Sequence, residues 1–138
     1  SFASGKLKML PNWIPPLENL VNLSLMYSEL TNDPLESIKG MPNLLFLAVK
    51  TRVYVGKRLH FQNGGFQKLK ELELRCLDSL NTITFDRGAL HSLKKLHLTE
   101  IPKLNRVPLG IQHLEKLEVL TVSDMPIEFR RMEEKSIG

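Results

Sequence analysis

The sequence predicts an α/β solenoid, an arc with a parallel concave sheet and an irregular or short-helical convex side. Three observations carry that expectation. Phe66, Leu69, Leu72 and Leu74 are apolar at spacings of three, three and two. Leu90, Leu93, Leu96 and Leu98 reproduce the spacing 24 positions later. Leu114, Leu117, Leu120 and Val122 reproduce it after a further 24. A fixed period of this size marks stacked units, each supplying one short strand.

The last two apolar residues of each frame are two apart, so they share one face of a strand. The alternate residues point the other way. Stacking such units puts the leucines inside and leaves their neighbours on an open concave face, which is the pattern of a leucine-rich repeat.

Along the chain, residues 1–25 read as the tail of a repeat whose own strand is mostly missing. Leu7, Leu10, Ile14 and Leu17 lead into Leu20, Leu23 and Leu25. The same frame returns 97 positions later, from Leu104 through Val122, with Pro11 mapping onto Pro108. Both segments read as an extended descent, a turn on proline, a short return and a strand. In the next unit Leu30, Leu35 and Ile38 descend and return, with Asn32-Asp33-Pro34 as a turn or helix start. Met41, Leu44, Leu47 and Val49 supply the following strand frame.

Residues 50–65 are the least regular. Val53, Val55, Leu59 and Phe61 alternate loosely with Arg52, Tyr54, Arg58 and His60, which predicts extended backbone on the descending side. Gly64-Gly65 turns the chain into the next strand. Leu77, Leu80 and Ile83 match Ile101, Leu104 and Val107 one repeat on. Beyond residue 122 the pattern stops. Residues 123–138 read as a cap, with Met125, Ile127, Phe129 and Met132 covering the last repeat's apolar edge. The repeats then occupy residues 1–122, the first unit truncated.

Composition fits a folded chain: of 138 residues, 42% are hydrophobic and 25% charged. A formal net charge of +4 permits an acidic partner without demanding one. No apolar run is long enough to span a membrane, and no signal peptide opens the chain. Cys76 is the single cysteine, which excludes an intrachain disulfide and favours a reducing compartment. Because the chain opens on Ser1, we expect a fragment or a processed chain, marginally stable or self-associating in isolation.

The alternation names the concave residues: Asn22, Ser24, Met26; Phe46, Ala48, Lys50; Glu71, Glu73, Arg75; Lys95, His97, Thr99; and Val119, Thr121, Ser123. Strands about 4.8 Å apart would set Glu71 beside Lys95 and Glu73 beside His97. Two readings stand. Solvated cross-strand pairs of this kind contribute roughly 0.2–1 kcal/mol each. Alternatively, Phe46, Lys50, Arg52, Glu71, Glu73, Arg75, Lys95 and His97 form a mixed-charge protein-binding patch with Phe46 as its apolar anchor. Lys50, Arg52, Lys57 and Arg58 also place four positive charges in one stretch with no acid between them. That stretch is a solvated face, or it meets an acidic protein or an anionic membrane surface; no nucleic-acid-reading motif accompanies it.

Catalytic and metal chemistry have no constellation. His60, His91, His97 and His113 lack metal-ligand spacing with cysteine or acid partners. Cys76 has no tied histidine and reads as a small residue packed in the repeat. Asp78 and Asp86 read as turn residues bonding their own backbone. Trp13 reads as packed on the convex side. No GxxxxGK[ST] loop is present, so no nucleotide or other cofactor is expected.

The stretch from Phe61 to Leu74 resembles the late repeats of plant intracellular disease-resistance receptors of the coiled-coil, nucleotide-binding, leucine-rich-repeat type. Gly88-Ala89-Leu90, the run from Val107 to Leu114, Asp124 to Phe129 and Leu10-Pro11-Asn12-Trp13-Ile14 are similar to that family, in its order. The resemblance implies a cytoplasmic sensing segment, with peripheral association at the plasma membrane left open. It would recognise pathogen effectors or guarded host proteins and contact the receptor's own nucleotide-binding domain. A substrate-adaptor repeat domain of a ubiquitin ligase is the alternative. One departure from extracellular plant repeats is plain. The position two after the last apolar strand residue is Tyr27, Thr51, Cys76, Glu100 and Asp124, not a column of asparagines, so these turns must be satisfied some other way.

Overall fold

Leucines two apart, repeated at one period, need neighbours that bury the same face, and parallel stacking supplies them. The structure is a computed structural model that describes residues 2–5, 21–27, 43–50 and 57–126. Its strands are β1 (Phe2–Gly5), β2 (Asn22–Tyr27), β3 (Phe46–Lys50), β4 (Arg58–Phe61), β5 (Glu71–Arg75), β6 (Thr82–Phe85), β7 (Lys95–Thr99) and β8 (Val119–Ser123). Six form one parallel sheet in the order β1-β2-β3-β5-β7-β8. The register aligns Leu23, Leu47, Leu72, Leu96 and Leu120 in one column. Leu25, Val49, Leu74, Leu98 and Val122 form the second.

Leu72, Leu74, Leu96 and Leu98 are fully buried. Burying a leucine contributes about 1.5–3 kcal/mol, so these two columns are the main cohesive element between neighbouring repeats.

The core is closed from the other side by strand rather than helix. β4 and β6 pair in parallel, and an isolated bridge joins Thr84 to Leu109. Leu59, Phe61, Ile83 and Phe85 point inward from these strands and are buried. Phe61 stacks at 5.2 Å from Phe85 and meets Phe66 edge-on at 6.0 Å. A 3-10 turn at Ile111–His113 is the one helical piece among the described residues. The extended backbone expected near Phe61 is therefore present as β4. Among the described residues the convex side is strand more than helical turn, because Thr82, Ile83, Thr84 and Phe85 are β-branched or aromatic in succession.

Three details correct the sequence reading. A strand does open the described chain: β1 pairs with β2 from Phe2–Ser24 to Gly5–Tyr27. Its residues Phe-Ala-Ser-Gly carry no leucine signature, and parallel pairing needs only backbone. The turn expected at Pro108 is made at Gly110, with φ at 84°. A Cβ there would run into the Phe85 carbonyl oxygen, so the close approach of two repeats requires glycine. Asp86 bonds the preceding repeat rather than its own turn: its carboxylate accepts the Asn63 N–H at 3.1 Å and lies 2.7 Å from His60 Nε2.

The turns without asparagine are satisfied by the next repeat's backbone. Cys76, Glu100 and Asp124 all adopt left-handed conformations, with φ between 52° and 58°. The Cys76 N–H donates to the Thr99 carbonyl at 3.0 Å, and the Glu100 N–H to the Ser123 carbonyl at 3.1 Å. The half-buried Cys76 thiol donates to Glu100 Oε2 at 3.3 Å, so this column bonds through side chains as well. Met125 is buried beyond β8. Trp13, Arg52, Ile127, Phe129, Met132 and the descending segments around Leu10 and Leu35 lie outside the described residues.

Candidate concave recognition face

Alternation along the strands turns every second side chain to the concave side, where Ser24 and Ala48 are nonetheless buried. β5 shows it plainly: Leu72 and Leu74 are buried, Glu71 and Glu73 half-buried, Arg75 exposed. Parallel register then lays those side chains in rows across the sheet. One row runs Asn22, Phe46, Glu71, Lys95, Val119. The next runs Ser24, Ala48, Glu73, His97, Thr121, and a third joins Lys50, Arg75, Thr99 and Ser123.

Of the eight residues singled out in the sequence, seven fall on these rows; Arg52 is outside the described residues. Phe46 is half-buried, and so are Lys50, Glu71, Glu73 and His97, while Arg75 and Lys95 are exposed. The backbone neighbours are the expected ones, Glu71 with Lys95 and Glu73 with His97. The side-chain contacts are not. His97 Nε2 lies 2.9 Å from Glu71 Oε2, a diagonal contact across the two strands. Glu73 instead approaches Lys50 at 3.9 Å and Arg75 at 3.8 Å. Diagonal neighbours sit within reach of long side chains, and strand twist swings them together.

The energetic weight of these pairs is small. The Lys50–Glu73 and Arg75–Glu73 separations are too long for hydrogen bonds, and half-exposed ion pairs contribute on the order of 0–1 kcal/mol. The face is thus held by the leucines beneath it, and its charges are left available to another molecule.

Sequence reasoning missed a second set of functional candidates. Val21, Leu45, Lys70, Lys94 and Glu118 stand directly before the strands, outside the alternation that marked the concave rows. Val21 and Leu45 are exposed, although both are large and apolar. Their only signal in the sequence was an apolar residue directly after Leu20 and Leu44 and two before the frame leucines Leu23 and Leu47. Among the described residues no cluster of three or more potential metal ligands forms, and no helix is long and apolar enough to cross a membrane.

Comparison with known proteins agrees with this architecture. A family model described as a leucine-rich repeat region matches residues 1–136. The chain is 36% identical to disease resistance protein RPM1 of Arabidopsis thaliana over 130 residues, covering 92% of this chain and 14% of that protein. A second Arabidopsis thaliana protein, also named for disease resistance, is 33% identical over 72 residues, covering 52% of this chain and 8% of its own length. The chain therefore spans a small part of the relatives it matches. No solved structure gives a significant match. With one register running through six parallel strands and a family model covering nearly every residue, this chain belongs to the leucine-rich repeat family, as a repeat region of the kind found in plant disease resistance proteins.

Proposed function

We propose that this segment recognises protein through its concave face and serves as the sensing and autoregulatory part of a cytoplasmic plant immune receptor that can associate peripherally with the plasma membrane. Its ligand would be a pathogen effector or a guarded host protein, and the same arc would dock on the receptor's own nucleotide-binding domain. The observation that carries this reading is the arrangement of Phe46, Lys50, Glu71, Glu73, Arg75, Lys95 and His97 on adjoining rows of one parallel sheet. An apolar anchor set among charges of both signs suits a protein surface, where aromatic residues supply contact area and charges set register. The similarity to disease resistance proteins favours this over the ubiquitin-ligase adaptor reading.

The test is charge reversal at Glu73, Arg75 and Lys95 within the full-length receptor. Exposed or half-exposed charges of this kind contribute little to folding, so receptor abundance should hold. Effector response should fall, or the resting state should become active. Wild-type behaviour in both respects would remove the concave face from the mechanism.

A further inference from the structure

The five residues that precede the concave strands form a column of their own. The Val21 carbonyl accepts N–H groups from both Leu45 and Phe46, and the Leu45 carbonyl those of Lys70 and Glu71. Lys70 and Lys94 repeat the arrangement with the repeats that follow them. Along the rim of the sheet the order is therefore Val21, Leu45, Lys70, Lys94, Glu118: two apolar residues, two cations, one acid.

The apolar end is open to water. Val21 and Leu45 are 41% and 39% exposed, and Leu45, Phe46 and Lys70 line a depression of about 760 Å³ floored by Leu23. The cationic end is unneutralised: Lys70, Lys94 and Lys95 are exposed and form no ion pair among the described residues. Glu71, the backbone neighbour of Lys95, is turned away to His97. Three free ammonium groups beside an exposed apolar depression are complementary to one kind of ligand.

We propose that this rim binds an extended acidic segment of a partner protein, with an apolar side chain seated at Leu45 and Phe46 and a carboxylate held by Lys70, Lys94 and Lys95. The column sets the spacing. Lys70 lies one strand beyond Leu45 and Phe46, and Lys94 and Lys95 two, about 5 and 10 Å at roughly 4.8 Å each. An extended peptide rises about 3.3 Å per residue and alternates sides, so an apolar residue and an acid that both face the rim stand two positions apart, about 6.6 Å. Glu118 ends the cationic run and repels an acid placed further along. The surface adjoins the concave face and shares Phe46 and Lys95 with it, but Leu45, Lys70 and Lys94 lie off those rows, so substituting them tests the rim separately.

Fluorescence anisotropy on the 138-residue chain tests it, with labelled twelve-residue peptides carrying Phe-x-Glu, a respaced version of identical composition, and a Phe-x-Gln version. The first should bind at least tenfold tighter than the other two. Lys70→Glu with Lys94→Glu should weaken it at least tenfold and create binding to a Phe-x-Lys peptide. Leu45→Ser should weaken both interactions, while Arg75→Glu on the concave rows should change neither, circular dichroism confirming the fold of each variant. Equal affinity for all spacings, absence of binding, or loss with Arg75→Glu in place of Lys70→Glu would each overturn the assignment. So would preferential binding to phosphatidylserine vesicles that no peptide displaces.

Discussion

Glu71 and His97 are bonded at 2.9 Å although neither is the other's backbone neighbour. Glu71 faces Lys95 in register, and His97 faces Glu73. The diagonal contact has two consequences. It ties consecutive repeats together at the surface, and it leaves the Lys95 ammonium without a carboxylate among the described residues.

A double-mutant cycle separates the two geometries. Replacing Glu71 by Gln and His97 by Ala, singly and together, should give a coupling of about 0.3–1 kcal/mol in urea-unfolding free energy, fading in high salt. The same cycle on Glu71 and Lys95 should give a coupling indistinguishable from zero. Equal couplings would mean that register alone, without the diagonal contact, decides the pairing.

Asp86 gives the chain an acid-sensitive contact. The hydrogen bond with His60 holds its carboxyl below the ordinary value of 3.8, and the Asn63 N–H acts in the same direction. A carboxylate whose folded pKa is lowered adds stability above its unfolded pKa and loses it as pH falls through the folded value. The effect of Asp86 therefore belongs to the range below about pH 4. Between pH 5 and pH 3 the thermal midpoint of the wild type should fall more steeply than that of Asp86→Asn. Parallel profiles would show that the contact with the preceding repeat carries no folding free energy.

Glycine matters unequally in the turns. Gly64 and Gly110 share a left-handed φ of 84°, but a Cβ on Gly64 meets open space whereas one on Gly110 strikes the Phe85 carbonyl. Gly64→Ala should cost about 1–2 kcal/mol, the strain of that conformation alone. Gly110→Ala adds a clash with backbone and should cost about 3 kcal/mol or more. Denaturant midpoints of the two variants compare them directly; a similar loss in both would place the Gly110 turn further from β6 than described.

Much of the concave face was legible because one periodicity decides it. Leu72 and Leu74 announce a strand, and the residues between them must then point outward. The convex strands were harder to read. Thr82–Phe85 is a strand because Arg58–Phe61 lies one repeat away to pair with it, and a four-residue run gives no unambiguous signal by itself. β1 was invisible for a related reason: Ala3 and Ser4 lack the side chains that mark a frame, yet their backbone groups complete the ladder. Asp86 looked like a turn residue because nothing local indicates that His60 and Asn63, 26 and 23 positions earlier, lie beside it.

The sequence by itself determined the repeat, its register and which side chains lie on the concave surface, since the spacing of apolar residues fixes strand phase and burial at once. Only the tertiary structure decided which charges meet: Glu71 with His97, Glu73 with Lys50 and Arg75, and Lys95 with none among the described residues. It also decided that Val21 and Leu45 reach solvent beside three lysines. Hydrophobic burial follows a pattern written along the chain, whereas ion pairing between long side chains follows strand twist and rotamer reach, which no spacing of residues specifies.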